Sequence, residues 1–134
     1  MAISDTLAKK GVRPSAQRVA VAEYVLSTRE HPSAEQVFAD VKRRFPQISR
    51  ATVYNTLNLF FEKGLLRTLT LTEGNVVFDP MIERHHHFVD EQTGKIYDIP
   101  WGALSVRNVE SLEGFDVSEY QVVLRGRSHK EKAK

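Results

Sequence analysis

Ser49-Arg-Ala-Thr-Val-Tyr-Asn-Thr-Leu-Asn-Leu-Phe-Phe-Glu-Lys-Gly64 is the stretch whose reading decides the fold. Val53, Leu57 and one of Phe60 or Phe61 recur at helical spacing and form an inward apolar stripe. Ser49 suits the N-cap and Gly64 the residue just past the C-terminus, so the helix has both ends marked. Arg50, Thr52, Tyr54 and Asn55 are left near its exposed N-terminal turns. The period then changes. Leu and Thr alternate over Leu69-Thr70-Leu71-Thr72, Glu73-Gly74-Asn75 makes a turn, and Val76–Phe78 returns, which reads as a β-hairpin directly after a helix.

Upstream, residues 3–10 make a short helix that stops at Gly11. Ser15 caps a longer one from about Ala16 to Ser27, with Val19, Ala22 or Tyr24, and Leu26 at helical intervals. His31-Pro32-Ser33 breaks that pattern, and Ser33 with Gln36 three residues on is a capping-box signature. Val37, Phe38 and Val41 line the next helix through about Arg44, and Phe45-Pro46 ends it. Three long helices followed by a hairpin in this order describe a winged helix-turn-helix, whose third long helix, here the one after Ser49, enters the DNA major groove. Arg50, Thr52, Tyr54 and Asn55 then become base readers or phosphate contacts. Arg13, Gln17 and Arg18, at the start of the second helix, fall where backbone contacts are expected. Helix order alone leaves a second reading open, a small α/β domain with no nucleic-acid role.

Downstream the texture turns β-rich, beginning with Asp79 to Asp98. Three of the five histidines, His85, His86 and His87, are adjacent there. In a strand over 84–90, His85 and His87 share one face and His86 takes the other. Thr93-Gly94 is a turn signal, and Lys95–Ile99 running back would return Asp98 towards the histidines. Imidazoles and hard carboxylates on one face suit a borderline divalent ion such as Mn, Fe or Zn. The competing reading is a polar, solvated segment. Further strands are expected over 95–99 and 119–126, with a short helix from about Ala103 to Leu112. So few apolar anchors make a marginal independent core, so this half is expected to dimerise.

Composition narrows the classes. The 134 residues are 41% hydrophobic, normal for a packed protein of one or two small domains. With zero cysteines, disulfides, thiolate metal sites and thiol catalysis are excluded together. No signal-like run and no bilayer-length apolar segment is present, and a cytoplasmic protein without a membrane role is expected. The net charge of +2 hides an asymmetry: +4 over residues 1–64, −6 over 65–124 and +4 over 125–134. A basic first half facing a polyanion fits that distribution. A small metalloenzyme is a distant alternative, but no general base or glycine-rich substrate loop is evident, and the chain is not expected to be an enzyme.

Gly11-Val-Arg-Pro-Ser-Ala-Gln-Arg18, His31-Pro-Ser-Ala-Glu-Gln-Val37, Ser49-Arg-Ala-Thr-Val-Tyr-Asn-Thr-Leu57 and the His85–Asp98 stretch occur in one order. Together they resemble the ferric uptake regulator family of metal-dependent transcription regulators, over nearly the whole chain. The resemblance implies an α+β protein: an N-terminal winged helix-turn-helix domain over residues 1–79, then a small α/β dimerisation and metal-sensing domain over 80–134. It implies a homodimer on a palindromic operator in double-stranded DNA. It also implies one regulatory divalent metal per subunit, Fe(II) or Mn(II) with Zn(II) binding in vitro, at a hinge site falling on His31, Asp79, His85, His87 and Asp98.

Asp98 stands where iron-sensing members tend to have Glu. Peroxide-sensing members (the PerR group) and haem-linked iron response regulators (the Irr group) tend to have Asp. In the peroxide sensors bound Fe(II) reacts with hydrogen peroxide and a ligand histidine is oxidised, and the equivalents here are His31 and His85. The leading expectation is therefore a peroxide-sensing repressor, and the alternative an iron- or haem-status regulator of the Irr kind. Two departures matter. Asp90 and Thr93 replace the first of the family's Cys-x-x-Cys pairs and the second is missing, so no structural zinc on four cysteines is expected and dimer cohesion falls to packing. Arg84 stands where a further metal site would have histidine. His86 is left as an exposed strand residue, the preferred reading, or as a haem contact resembling that of the Irr group.

Overall fold

The computed structural model describes residues 2–72 and 75–130. The chain forms two compact units, Met1–Ile82 and Glu83–Lys134. The first carries helices α1 (Ile3–Lys9), α2 (Ala16–Val25), α3 (Ala34–Arg44) and α4 (Arg50–Glu62), then the antiparallel hairpin β1 (Arg67–Thr72) and β2 (Asn75–Asp79). The turn residues Glu73 and Gly74 lie outside the described residues.

Each long helix starts where a hydroxyl meets an orphan amide. Ser15 Oγ accepts from Arg18 N at 3.2 Å, and Ser49 Oγ accepts from Thr52 N at 3.1 Å. The capping box at α3 is complete: Gln36 N donates to Ser33 Oγ at 3.2 Å, and Ser33 N donates to Gln36 Oε1 at 2.8 Å. α4 ends in a left-handed turn at Gly64, φ +77°, with Leu65 N donating to Phe60 O at 2.9 Å. Its inward stripe is Val53, Leu57 and Phe60, each fully buried, while Phe61 is exposed. These side chains pack with Leu7, Val21, Val25 and Val37 into one core. Burying such apolar surface against water is the main favourable term holding the unit.

The loop between α2 and α3 is fastened to the hairpin. Ser33 forms an isolated antiparallel bridge with Val77, and Phe78 N donates to Pro32 O at 2.8 Å. This fastening sets His31, next to Pro32, against Asp79 at the end of β2. His31 adopts φ +52°, a left-handed backbone that costs a non-glycine residue energy and that packing must hold.

The second unit is a three-stranded sheet in the order β4-β3-β5, made of β3 (His85–Asp90), β4 (Ile96–Pro100) and β5 (Val123–Gly126). β4 runs antiparallel to β3 and β5 parallel to it. The expected helix at Ala103–Leu112 does not form; a short 3₁₀ turn, Trp101–Ala103, is followed by irregular chain. Val106 and Leu112 are exposed, so among the described residues nothing covers these two apolar side chains, and a helix that short does not persist without packing. The last strand also starts later than expected. Val122 N donates to His86 Nδ1 at 2.9 Å, so that amide is taken by a side chain and regular β5 begins one residue on.

Candidate metal centre and nucleic-acid face

The β3–β4 register builds the donor cluster of the second unit. His87 is the cross-strand partner of Asp98, and His85 is two residues from His87 on the same face. His85 Nε2 lies 3.3 Å from Asp98 Oδ1, and His87 Nε2 lies 3.5 Å from the same oxygen. The two imidazole centroids are 4.5 Å apart. Both rings are buried and Asp98 is partly exposed.

The other ring nitrogens explain the orientation. His85 Nδ1 is 2.7 Å from the Glu83 carbonyl oxygen, and His87 Nδ1 is 3.0 Å from Gln121 Oε1. Each Nδ1 meets an acceptor, so a proton placed on Nδ1 leaves the Nε2 of each ring facing the carboxylate oxygen. Lone pairs converging on a carboxylate call for a cation between them, the arrangement that outer partners impose on metal-ligating histidines. Ligand atoms about 2.1 Å from one ion sit roughly 3–3.5 Å from each other. The separations at Asp98 fall in that range, so this donor set fits a divalent ion.

A second pair lies in the first unit. His31 Nε2 is 3.3 Å from Asp79 Oδ2, both side chains are buried, and Asp79 Oδ1 accepts from Met81 N at 2.9 Å. All five residues expected as ligands are therefore in imidazole–carboxylate contacts, two in one unit and three in the other.

His86 corrects the sequence reading that made it an exposed strand residue. It is fully buried, stacked on Trp101 with centroids 4.4 Å apart and planes 15° from parallel. Arg84 lies over the Trp101 ring at 4.1 Å. Trp101 folds back from the end of β4 onto this face, a long-range placement that alternation along one strand does not reveal. Burial, then the neighbouring His87 and His85, push the His86 pKa down. Its Nδ1 accepts a backbone hydrogen bond and its Nε2 is enclosed.

Of the residues expected at DNA, Arg13, Gln17, Arg18, Thr52 and Asn55 line one open cleft of about 770 Å³ between the start of α2 and the length of α4. Arg18 Nη1 donates to Arg13 O at 2.9 Å, and the Thr52 hydroxyl is 2.8 Å from Ser49 Oγ. Arg50 and Tyr54 turn instead towards α3. Both bond to Glu35 Oε1, Tyr54 through its hydroxyl at 2.7 Å, and the Arg50 guanidinium lies 4.8 Å from the Phe38 ring centre. Sequence reasoning missed both Gln121 and Glu35. Glu35 sits in the first turn of α3, where an acidic residue reads simply as a partner for the helix dipole.

A helical unit ending in a β-hairpin, followed by a small sheet carrying imidazole and carboxylate donors, is the architecture of winged-helix, metal-responsive regulators. Residues 9–125 match the Ferric uptake regulator family, and the chain belongs to it. It is 36% identical over 126 residues to the peroxide operon regulator of Bacillus subtilis (strain 168), covering 91% of this chain and 86% of that protein. It is 33% identical over 123 residues to the peroxide-responsive repressor PerR of Staphylococcus aureus (strain USA300), covering 90% and 83%. The fold is similar to the ferric uptake regulator of Pseudomonas aeruginosa with manganese, at TM-score 0.72 and 26% identity, covering 96% of this chain and 98% of that one.

Proposed function

We propose that this protein is a metal-dependent, DNA-binding repressor that senses peroxide through one divalent ion per subunit. The observation that carries the reading is the pair of outer contacts, Glu83 O on His85 and Gln121 Oε1 on His87, that aim two Nε2 atoms at Asp98. His31 and Asp79 complete the ligand set, His31 by Nε2 and Asp79 by Oδ2, the oxygen that faces His31 rather than Met81 N. Held by these residues, Fe(II) would supply the redox chemistry that activates hydrogen peroxide: the O–O bond breaks, one oxygen leaves as water and the other is added to a ring carbon of His31 or His85, so the imidazole is the group that is oxidised overall. Mn(II) occupies the same donors without that chemistry. The protein works as a homodimer in the cytoplasm, and α4 with the cleft beside α2 takes the duplex of a palindromic operator. Among the described residues no helix is long and apolar enough to cross a membrane.

Peptide mass mapping of the Fe(II)-loaded protein before and after brief peroxide treatment tests this, with a Mn(II)-loaded control. One added oxygen on the His31 or His85 peptide, with iron only, is the expected result. An unmodified protein at confirmed iron occupancy would leave a metal-responsive regulator of iron or haem status in its place.

A further inference from the structure

We infer that Glu35 is a positioning residue for DNA recognition: it neutralises Arg50, fixes the Tyr54 hydroxyl, and thereby trades general affinity for duplex DNA against discrimination between sequences. The inference rests on the reading of α4 as the recognition helix and adds a residue from a different helix to its machinery.

Glu35 lies fifteen residues before Arg50 in sequence and in the first turn of α3, yet one of its oxygens accepts from both Arg50 Nη1 and Tyr54 Oη. Those hydrogen bonds, Arg50's first and Tyr54's second, hold the Glu35 carboxyl below the usual carboxylate range. The same contact with Glu35 raises the Tyr54 hydroxyl, so Tyr54 stays a neutral donor. Phe38, three residues further along α3, places its ring under the Arg50 guanidinium at 4.8 Å. Arg50 is thus held by a carboxylate and an aromatic face, both from α3.

The Arg50–Glu35 pair is exposed, 56% on each side chain, so its contribution to fold stability is small. Its consequence lies at the DNA surface. A solvated arginine at the N-terminus of a recognition helix is attracted to any phosphate, whatever the sequence. A paired one approaches with its charge partly offset and one nitrogen of its fork, Nη1, already engaged. Meanwhile the Tyr54 ring, with its hydroxyl tethered, is presented in one orientation, and ordering a reading side chain beforehand lowers the cost of binding the correct bases. Removing the Glu35 carboxylate frees a cation and loosens a reader together.

The test uses Mn(II)-loaded full-length protein, a duplex selected by the wild type from a random library, and a random-sequence duplex of equal length. Wild type, Glu35→Ala and Glu35→Gln are titrated with both duplexes at salt concentrations from about 50 to about 200 mM. For Glu35→Ala, random-duplex binding should strengthen, its log–log salt slope should steepen by about 0.9, one further phosphate contact, and the specific-to-random affinity ratio should fall about tenfold. Glu35→Gln loses the charge but keeps an oxygen for Tyr54, so the slope should steepen equally while the ratio falls less. Wild-type slopes and ratios in both folded variants would overturn the inference. A wild type that selects no duplex from the library would overturn the DNA-binding reading itself, a separate and recognisable failure.

Discussion

Gln121 lies outside every motif of the chain, yet its side-chain oxygen, 3.0 Å from His87 Nδ1, decides which nitrogen of that ring is available to a metal. Replacing it with Leu should lower Mn(II) affinity about 10- to 100-fold while leaving the fold intact, because only the outer hydrogen bond is lost. Competition against a chromophoric chelator reads this directly; wild-type affinity in Gln121→Leu would show that the backbone alone orients His87. Asp90 illustrates a different residue-scale substitution. It stands at the first position of a motif that holds structural zinc elsewhere in the family, and here its oxygens accept from Gln92 N, Thr93 N and Ser128 N at 2.8, 3.2 and 3.3 Å. One carboxylate thereby ties the β3–β4 turn to the chain after β5. These bonds, led by that from Gln92, hold its pKa below the ordinary value. Because the folded value is the lower one, the stabilisation is complete above about pH 4 and is lost as pH falls through the folded pKa. Acid unfolding followed by circular dichroism should show Asp90→Ala less stable than wild type at about pH 7 and converging with it in strong acid. Parallel curves would remove the carboxylate from that role.

At the scale of elements, the sequence was most legible where local chemistry and pattern agreed. Ser15, the Ser33–Gln36 box, Ser49 and Gly64 marked helix ends that the backbone then uses, and alternation correctly paired His85 with His87 and returned Asp98 beside them. The failures share one cause: they depend on what packs against the element from elsewhere. The segment 103–112 has the spacing of a helix, but among the described residues nothing covers its Val106 and Leu112, and β5 begins at Val123 because a histidine from another strand takes the preceding amide. His86 is hidden by Trp101, which no two-residue period announces. Its burial makes a sharp prediction. His86→Leu leaves Val122 N without its acceptor and removes the stack on Trp101, so it should cost about 1–3 kcal/mol of unfolding free energy, with Trp101 fluorescence as the readout. An exposed strand residue would cost no more than about 0.5 kcal/mol. A value that small would return His86 to the surface.

For the whole molecule, the five proposed ligands divide between two units, His31 and Asp79 in Met1–Ile82 and His85, His87 and Asp98 in Glu83–Lys134. A single ion taking donors from both must favour the arrangement of the units that it ligates. If that arrangement is also the one that binds the operator, metal and DNA are thermodynamically linked. The linkage is reciprocal: the factor by which Mn(II) raises operator affinity equals the factor by which operator raises Mn(II) affinity. A coupling of about 1–3 kcal/mol, roughly 5- to 150-fold, is the expected size. Both factors can be measured, one by fluorescence anisotropy with and without Mn(II), the other by chelator competition with and without duplex. His31→Ala then separates the alternatives, since it leaves His85, His87 and Asp98 intact in their own sheet. The variant should still bind Mn(II), roughly tenfold or more weakly, but its coupling should fall close to one, because the remaining ligands hold the ion from one unit only. Full coupling in His31→Ala would mean that the ion acts from within the sheet and that His31 and Asp79 serve the fold of the first unit alone.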